Sequence, residues 1–517
     1  MTSPAFQARL RAALPDGPDA PTLPSPASLA AASASLPRRP SRSAGVKDGD
    51  ESSTTTNADY LAPLGTEATL THILTDIVPA LNGQARSGRY YGFVTGGSLP
   101  VAEAADTVVS ALDQNVQVHL PGQTVATEVE SVALGMLADV LGLENGGDES
   151  RDGEEVWKGR TFTTGATASN VLGLACGREY VVAKRGGNVG EQGLLGACVR
   201  AGVRDVQVLT SMGHSSLSKA ASVVGIGRAS VKELPLSKDK PWRLDLEAVE
   251  RALEKGERDG VVSVIAVSAG EVNTGRFATE GKEEMGKLRG LADRFGAWIH
   301  VDGAFGIFAR ALEAKPEFAK IREMASGLEL ADSITVDGHK LLNVPYDCGM
   351  FFCRSLPTQT AVFTNPNAAY LSSGPSTIPS PLNIGLENSR RFRALPAYAV
   401  LRSEGRSGLA AILGRMVILA RKLAVWIRAS DAYELLPEAE GEWDVEATHM
   451  VVLFRARDEG LNEELVGRIN GTREVYVSGT SWKGRKAVRV AVGSWRVDVE
   501  RDFEVVTRVL GDISARG

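Results

Sequence analysis

Short apolar runs that alternate with helical patterns make residues 160–355 the most regular part of the chain. Five of these runs are rich in β-branched and aromatic residues, as buried strands are. They are VQVLT, VVSVIAVS, AWIHV, DSITV and GMFFC, which begin at residues 206, 261, 297, 332 and 349. Because strands that alternate with helices form right-handed βαβ units, we predict an α/β fold with a mostly parallel, covered sheet.

Amphipathic helical patterns flank this region. Within residues 67–82, apolar side chains recur at positions 70, 73, 74, 77, 78 and 81, which form one stripe of a helix. Residues 127–143 repeat the pattern, and Thr127 and Glu130 have the spacing of a capping box. After about residue 398, a long helical stretch leads into the strand-like runs THMVVLFRA and KAVRVAVG. These elements predict a smaller C-terminal α+β lobe.

The first 58 residues have a different composition from the rest. They are rich in Pro, Ser, Ala and Gly, which is typical of disordered segments. We therefore predict a disordered extension over 1–58, a helical segment over 59–115, a large domain over 116–397 and a small domain over 398–517. Arginines at helical spacing in the opening MTSPAFQARLRAALP leave organelle import as an alternative to a cytoplasmic location.

Charge and cysteine content exclude several classes of partner. The 517-residue chain carries a formal net charge of −6, which disfavours a nucleic-acid or anionic-membrane surface. No apolar run approaches the roughly 20 residues that a membrane helix needs. The four cysteines have no CxxC or Cys/His spacing, which predicts free thiols in a reducing compartment. We therefore expect no nucleic-acid, membrane or metal partner.

Polar residues that follow the predicted strands are the candidates for chemistry, because ligands of α/β sheets bind beyond the carboxyl ends of strands. Asp302 follows AWIHV, although a turn aspartate is an alternative explanation. Gly165, Ala166 and Thr167 precede a helical run, where free backbone N–H groups suit an anion such as phosphate. His214 follows VQVLT and could equally be a helix-capping or core histidine.

The segment TVDGHKLLNVPYDCG, residues 335–349, places Lys340 directly after His339 and between two apolar runs. Such a lysine is either an exposed loop cation or a group kept for chemistry. A desolvated lysine with a lowered pKa is suited to Schiff-base formation. Cys348, in the same segment, is interpreted as buried packing behind the turn.

These pieces occur together in an order that resembles a known family. The chain is similar to the fold-type I pyridoxal-phosphate enzymes and, within them, to the group II amino-acid decarboxylases, which include aromatic-amino-acid, glutamate and cysteine-sulfinate decarboxylases. The resemblance covers roughly residues 60–510. Its motifs, in chain order, are RYYGFVTGGSLPVAEAADTVVSALDQN, TEVE, TTGATASN, GHSSLSKA, HVDGAFG, DGHKLLNVPYDCG, SRRFRALPAYAVLRSEGRSGL and GTSWKGRKAVRVAVGSW.

The resemblance implies pyridoxal 5′-phosphate as cofactor and assigns three residues to the reaction. Lys340 would hold the cofactor as a Schiff base. Asp302 would pair with the pyridinium nitrogen and keep it protonated, and His214 would stack on the ring face. The implied reaction is the decarboxylation of an L-amino acid, in which the protein's main task is to orient the breaking bond.

The resemblance also implies a phosphate site and a fold. Gly165, Ala166, Thr167 and His339 would bind the cofactor phosphate, and Ala304 would be the small residue against the ring. The large domain would be the cofactor-binding, aspartate aminotransferase-like domain with a mostly parallel seven-stranded sheet. Two chains would form a homodimer whose active sites are completed across the interface.

Two departures from the family leave the reaction open. Residues 371–389, where the group II decarboxylases carry a tyrosine that protonates the product carbon, contain neither tyrosine nor histidine. Tyr370 precedes the segment. The second departure is Glu271, which could face the substrate or be an exposed loop residue. An aldehyde synthase, another lyase, an aminotransferase-like enzyme and a non-catalytic binding protein therefore remain alternatives to a decarboxylase.

Three further hypotheses concern the substrate pocket. Arg390 is a candidate for binding the substrate carboxylate. HLPGQTVATE, residues 119–128, and SGTSWKG, residues 478–484, are candidate pocket segments.

Overall fold

A computed structural model describes residues 4–15, 17–37, 61–144, 156–366, 378–437 and 443–516. The helices are α1 Pro4–Ala13, α2 Pro26–Ser35, α3 Thr66–His72, α4 Pro100–Leu112, α5 Ala126–Val140, α6 Ala166–Ala183, α7 Val189–Ala201, α8 Ser215–Val223, α9 Leu246–Asp259, α10 Lys282–Phe295, α11 Ala319–Met324, α12 Gly338–Leu341, α13 Leu356–Phe363, α14 Ala394–Ala429, α15 Glu459–Gly471 and α16 Val499–Ala515. The strands are β1 Tyr90–Tyr91, β2 Gly159–Thr163, β3 Asp205–Thr210, β4 Val231–Glu233, β5 Val261–Ser268, β6 Trp298–Asp302, β7 Ser333–Asp337, β8 Gly349–Cys353, β9 Tyr433–Leu436, β10 Val451–Ala456, β11 Tyr476–Trp482 and β12 Arg485–Ala491. Within this part of the chain, no helix combines the length and apolarity needed to span a membrane.

The large lobe is built on a seven-stranded sheet with the order β2-β8-β7-β6-β5-β3-β4. Its strands are parallel except β8, which runs antiparallel to both of its neighbours. The five strands expected from the apolar runs are all present, so the predicted α/β class and mostly parallel sheet are confirmed. In the register of β5, β6 and β7, Ser268 lies opposite Asp302 and Asp302 opposite Thr335. The carboxyl ends of these three strands therefore meet at one edge of the sheet.

The central strands are mostly apolar because both faces of the sheet are buried, and the polar residues among them, such as His300, Ser333 and Thr335, are buried as well. Side chains alternate between the faces: Ile265 and Val267 of β5 join one hydrophobic cluster, whereas Val264 and Ala266 join another. Helices cover both faces and supply the remaining apolar surface of the two clusters. This packing fixes the positions at which the strands end, and hence the positions of the residues that follow them.

The small lobe contains a five-stranded sheet with the order β1-β11-β12-β10-β9. Its edge strand β1 comes from the predicted helical segment and pairs in parallel with β11. The predicted boundary between residues 397 and 398 falls inside α14, which bends at Gly405, where φ is 57° and ψ is −165°. The α+β character expected for this lobe is present.

The described part of the N-terminal extension corrects the prediction of disorder over 1–58. Thr22 donates its amide to the carbonyl of Arg473 at 2.9 Å and accepts from the amide of Gly83 at 2.9 Å. Arg89 Nη2 donates to the carbonyl of Pro18 at 2.9 Å, and the side chain of Thr22 is buried. Backbone hydrogen bonds, which composition does not reveal, order this Pro-rich stretch. Residues 38–58 of the predicted extension lie outside the described residues.

Two local predictions also need correction. The stripe over 67–82 is helical but changes type, because α3 is followed by a π turn over Ile73–Ile77 and a 3₁₀ turn over Val78–Ala80. The prediction of a capping box formed by Thr127 and Glu130 is wrong. Val125 occupies the N-cap of α5, while Thr127 Oγ1 lies 2.8 Å from His119 Nδ1 and Glu130 pairs with Arg390.

Candidate active site

A cavity of about 360 Å³ lies where the carboxyl edge of the large sheet meets the small lobe. Its lining contains five of the predicted site residues: Ala166, His214, Asp302, Ala304 and Lys340. The structure therefore brings together residues that lie up to 174 positions apart, 166 to 340, in the sequence. The rest of the lining is Phe93, Val94, Ser268, Gly270, Val272, Asn273, Phe305, Tyr346, Ser478, Gly479, Thr480 and Arg489.

Lys340 lies on the short helix α12, immediately after β7. Its Nζ is 2.9 Å from Asp337 Oδ2 and 5.8 Å from the centre of the Phe305 ring. Asn343 Nδ2 donates to the carbonyl of Lys340 at 2.8 Å and so fixes the turn. The backbone of Gly96 passes so close that a Cβ there would lie 1.9 Å from the same carbonyl oxygen. Lys340 is thus held at the cavity wall with its amine directed to a buried carboxylate.

Asp302 is the last residue of β6. Its Oδ2 accepts from Asn170 Nδ2 at 2.9 Å, and its Oδ1 accepts from the amide of Ala304 at 3.3 Å. The carboxylate is not fully buried and lines the cavity, as a partner for a cationic ring requires. The contact with the Ala304 amide is that of a turn aspartate, and the same carboxylate also lines the cavity.

His214 caps α8, as one alternative from the sequence suggested, and the same side chain also lines the cavity. Its Nδ1 accepts from the amide of Ser216 at 3.2 Å and lies 2.7 Å from Ser216 Oγ. Because Nδ1 is an acceptor, the proton of the neutral ring is on Nε2.

Gly165 and His339 lie against each other at the start of α6. Gly165 has φ 149°, and a Cβ at this position would lie 3.0 Å from His339 Cε1. No side chain caps α6, so the first-turn amides of Ala166 and Thr167 have no intrahelical acceptor and can bind an anion. His339 Nδ1 accepts from the amide of Cys348 at 3.3 Å, and its ring stacks on Tyr346 at 4.4 Å between centres.

Burial and charge act in opposite directions on His339. Desolvation lowers the pKa of its imidazole, whereas the neighbouring Asp337 carboxylate raises it. Asp337 Oδ2 lies 3.6 Å from His339 Nε2, while Asp337 Oδ1 is buried with no hydrogen-bond partner among the described residues. A cluster with one unsatisfied carboxylate oxygen is suited to an exchange of partners when a ligand arrives.

The residues present fit the cofactor that the sequence implies. The cavity offers an amine for an aldehyde, a carboxylate for a pyridinium nitrogen, an imidazole for a ring face and an uncapped helix N-terminus for a phosphate. Gly165 leaves the start of α6 free of a side chain, which a close approach of phosphate requires.

Arg489 is a lining residue that the sequence analysis missed. It lies in β12; its Nη2 donates to the carbonyl of Phe93 at 2.9 Å, and its Nε donates to the carbonyl of Val272. Burial lowers the pKa of its guanidinium to about 10, and the charge of Glu271 opposes this effect. A cation inside the apolar run KAVRVAVG was the available signal. Tyr346, within the lysine segment, was missed as well.

The structure gives different outcomes for the remaining pocket hypotheses. Ser478, Gly479 and Thr480 line the cavity, as expected for SGTSWKG, whereas no residue of 119–128 does. Arg390 is wrong as the carboxylate-binding residue: it is buried, pairs with Glu130 and donates to the carbonyls of Val116 and Phe162, at 3.0 and 3.2 Å. Its charge is therefore already matched away from the cavity.

Glu271 also differs from both expectations, because it neither is exposed nor lines the cavity. Its Oε1 accepts from the amide and side chain of Asn273, at 2.9 and 3.1 Å. Its Oε2 accepts from the amide and hydroxyl of Thr274, both at 2.8 Å. Cys348 is buried, as expected, and burial raises the pKa of its thiol. Tyr370 and residues 371–377 lie outside the described residues.

Comparison with known proteins agrees with the geometry. The family described as "Pyridoxal-dependent decarboxylase conserved domain" matches residues 70–457. Tryptophan decarboxylase 1 of Oryza sativa subsp. japonica is 28% identical over 454 residues, which are 84% of this chain and 81% of that protein. L-2,4-diaminobutyrate decarboxylase of Acinetobacter baumannii is 29% identical over 319 residues, which are 60% of this chain and 58% of that protein.

Solved structures show the same fold. That of Oryza sativa TDC with PLP and tryptamine has a TM-score of 0.73 at 23% identity and covers 89% of this chain and 91% of its own. That of Rhodiola rosea 4-hydroxyphenylacetaldehyde synthase has a TM-score of 0.72 at 20% identity, with 99% and 95% covered. The fold type I prediction is confirmed. Because the family matches most of the chain, the protein belongs to the pyridoxal-dependent decarboxylase family and is a carboxy-lyase whose cofactor is pyridoxal 5′-phosphate.

Proposed function

We propose that the protein removes the α-carboxylate of an L-amino acid as CO₂, with Lys340 as the attachment point of the cofactor. The observation that carries the proposal is the convergence of Lys340, Asp302 and His214 on one cavity. Each of the three follows or ends a strand of the large sheet, so rigid elements position them. Sites on such elements hold reacting groups in a fixed orientation, which this reaction needs.

Bound pyridoxal phosphate supplies an aldehyde that links to an amine and a cationic ring that accepts the electrons of the broken bond. Asp302 would hold the proton on the ring nitrogen, because an adjacent carboxylate favours the charged form of a base. His214 would pack on the ring face and present its Nε2 proton to the cavity. Lys340 Nζ would hold the cofactor in the resting enzyme. It would give up this place to the substrate amine and would take it again when the product leaves.

The phosphate would lie at the start of α6. Amides of Ala166 and Thr167 point to this position, and the helix dipole favours an anion there. Gly165 permits close approach, and His339 would contribute a further donor from the opposite side. Ala304, which is small and buried, would leave room for the ring above Asp302.

Arg489 would bind the substrate carboxylate. It is the only arginine among the described residues that line the cavity, and its charge comes from the small lobe, across from Lys340 on the large lobe. Two of its donors are held by backbone carbonyls, so the guanidinium keeps one orientation. A fixed guanidinium can orient a carboxylate through paired hydrogen bonds.

We also propose a homodimer in the cytoplasm. Phe93 and Tyr346 line the cavity but remain 68% and 54% exposed in the single chain, and a second chain would cover them. Val125, inside the 119–128 segment that does not reach this chain's own cavity, and Val132 of α5 are exposed as well. The cytoplasmic location rests on four free cysteines. Light scattering of the purified protein tests the dimer.

The test of function is a screen of the twenty amino acids for CO₂ release by the purified protein with added cofactor. We expect one or a few substrates. Lys340→Ala should lose the visible absorbance of the bound cofactor, its covalent retention after borohydride reduction, and at least about a thousandfold in kcat. Protein that stays colourless with excess cofactor would refute the proposal and favour a non-catalytic binding role.

An aldehyde synthase reaction is the second candidate, because residues 371–389 contain neither tyrosine nor histidine to return a proton to the product carbon. In that reaction, amino acid, O₂ and water give aldehyde, CO₂, ammonia and hydrogen peroxide. Peroxide and amine, measured in the same assays, separate the two reactions. Stoichiometric peroxide without amine would replace the simple decarboxylase with the oxidative reaction.

A further inference from the structure

Asn170 joins two of the site residues through one side chain. This residue is fully buried in α6, and its Nδ2 donates to Asp302 Oδ2 at 2.9 Å and to Ser216 Oγ at 3.1 Å. Ser216 Oγ is in turn 2.7 Å from His214 Nδ1. One amide group therefore contacts the residue proposed for the ring nitrogen and, through one hydroxyl, the residue proposed for the ring face.

The orientation of this amide follows from its partners. A carboxylate accepts only, so the atom that faces Asp302 is Nδ2 and the opposite atom is Oδ1. Oδ1 accepts only, so His300 Nε2 at 2.9 Å and Thr335 Oγ1 at 3.0 Å both donate to it. His300 is fully buried, and desolvation lowers the pKa of its imidazole to about 4, so the ring is neutral and carries its proton on Nε2.

The remaining nitrogen of His300 extends the same chain of donors. His300 Nδ1 accepts from Ser333 Oγ at 2.8 Å, and Ser333 Oγ accepts from Trp298 Nε1 at 2.9 Å. Trp298 Nε1 can only donate, which makes the direction of every bond consistent. The donor chain thus runs from Trp298 through Ser333, His300 and Asn170 to Asp302.

We propose that Asn170 is a positioning residue that holds Asp302 and His214 in one fixed arrangement, with its own orientation set by His300 and Thr335. This inference rests on the proposed function of Asp302 and His214. Without Asn170, Asp302 keeps only the 3.3 Å contact with the amide of Ala304 among the described residues. A carboxylate that can turn away from the ring nitrogen holds the cofactor less tightly and stabilises its cationic form less.

The test compares Asn170→Ala with wild-type holoenzyme in three measurements. A lost hydrogen bond to a charged group corresponds to roughly a tenfold to hundredfold change in an equilibrium constant. We therefore expect the dissociation constant for pyridoxal phosphate to rise at least about tenfold, and kcat to fall at least about tenfold with KM changed less than about threefold. The pH midpoint of the visible cofactor band, which reports the proton on the nitrogen that links Lys340 to the cofactor, should rise. A weaker Asp302 contact leaves the ring nitrogen less protonated, so the ring withdraws fewer electrons from the linking nitrogen and that nitrogen becomes more basic.

Two further variants separate the arms of the network. Ser216→Ala removes the link to His214 only, so kcat should fall while the cofactor dissociation constant changes less than about threefold. Thr335→Val removes one of two donors to Asn170 Oδ1 and should have a smaller effect than Asn170→Ala on all three measurements.

His449→Leu and His300→Leu form a matched pair, because both remove a buried imidazole. Only His300→Leu should shift the pH midpoint of the cofactor band.

The inference fails if Asn170→Ala leaves cofactor affinity and kcat within twofold of wild type and the pH midpoint within about 0.2 pH unit. If Asn170→Ala does not fold, the same limits apply to Thr335→Val and His300→Leu. That result is distinct from failure of the proposed function. In the latter case the wild-type protein itself would show no lysine-linked cofactor band, and Lys340→Ala would resemble it.

Discussion

Two buried carboxylates lie near the cavity, Glu271 near Arg489 and Asp337 beside Lys340. They differ in how fully their oxygens are hydrogen-bonded. Glu271, in the turn after β5 whose Val272 carbonyl binds Arg489 of the small lobe, accepts four hydrogen bonds from its own turn and acts on Arg489 only through its charge. Asp337, on the large-lobe side, contacts Lys340 Nζ directly at 2.9 Å, while its Oδ1 has no hydrogen-bond partner among the described residues.

The difference separates a permanent element from an exchangeable one. Leaving a buried acceptor without a partner costs about 1–3 kcal/mol, so Asp337 is the less fully stabilised of the two carboxylates. In the proposed reaction Lys340 would leave Asp337 whenever its amine reacts, whereas Arg489 would keep its place through every turnover. A self-contained carboxylate therefore suits Arg489, and a loosely satisfied one suits Lys340.

Removal of the Arg489 charge should have the largest effect on the small-lobe side. Arg489→Met should raise KM or lower kcat/KM by about 30- to 100-fold, since a charged hydrogen-bonded contact with the carboxylate contributes about 2–3 kcal/mol. Steady-state kinetics on the substrate found in the amino-acid screen measures this. Arg489→Lys keeps the charge but loses the planar guanidinium, so its kcat/KM should lie between those of wild type and Arg489→Met.

Arg390→Met is the matched control, because Arg390 is a buried arginine that pairs with Glu130 outside the cavity. It should lower stability and leave KM within about threefold of wild type. A KM effect from Arg390→Met larger than that from Arg489→Met would restore the original sequence hypothesis for Arg390.

The two walls of the cavity differ in how far the sequence revealed them. Lys340, Asp302 and His214 were candidates because each is a chemically distinctive residue near the end of a recognisable strand, and the resemblance to the family implied their roles. Arg489 could not be identified in this way. A cation in an apolar strand can equally belong to an edge strand, and only the sheet order distinguishes the two positions. Glu271 was misjudged for a related reason: only the folded turn shows that its oxygens are fully occupied. Asn170 resembles any polar residue of a helix until α6 is packed against β6 and β7.

Glu271→Gln sharpens the contrast between the carboxylates. The amide group of glutamine would face donors from Asn273 or Thr274, so two buried donors would oppose each other. We expect a loss of about 2–3 kcal/mol in the free energy of unfolding. Urea denaturation of the cofactor-free protein measures it. Glu283→Gln, at the exposed ion pair with Lys287, is the control and should cost less than about 1 kcal/mol. Equal losses at both positions would contradict the special role of the Glu271 turn.

The buried histidines His300 and His449 make a contribution to the free energy of unfolding that depends on pH and is distinct from that of the two carboxylates. Desolvation lowers the pKa of His300 to about 4 and that of His449 to about 3. Because the unfolded chain binds these protons at a pKa of about 6.5, stability is present above pH 6.5 and is lost as pH falls toward the folded values. Each histidine should contribute a loss of about 2 kcal/mol between pH 7 and pH 5.

Denaturation of wild type and His449→Leu at pH 7, 6 and 5 measures this contribution. The variant should lose less stability than wild type between pH 7 and pH 5. A slope between pH 7 and pH 5 that does not change in the variant would mean that His449 is not the titrating group, and the acid loss would then belong to other sites.

Asp337→Asn tests the exchangeable pair and should have the smallest effect. Lys340 Nζ loses its charged acceptor but can still contact the amide oxygen, and its side chain is 22% exposed, so solvent screens part of the change. We expect the cofactor-free protein to lose about 1–2 kcal/mol in the free energy of unfolding. The holoprotein should lose less, because Lys340 linked to the cofactor no longer depends on Asp337. Asp347→Asn, whose carboxylate is 40% exposed and pairs with Arg393, is the control and should affect both forms equally. If Asp337→Asn instead destabilised the holoprotein more than the cofactor-free protein, Asp337 would be a permanent support of the site, and the contrast with Glu271 would no longer hold.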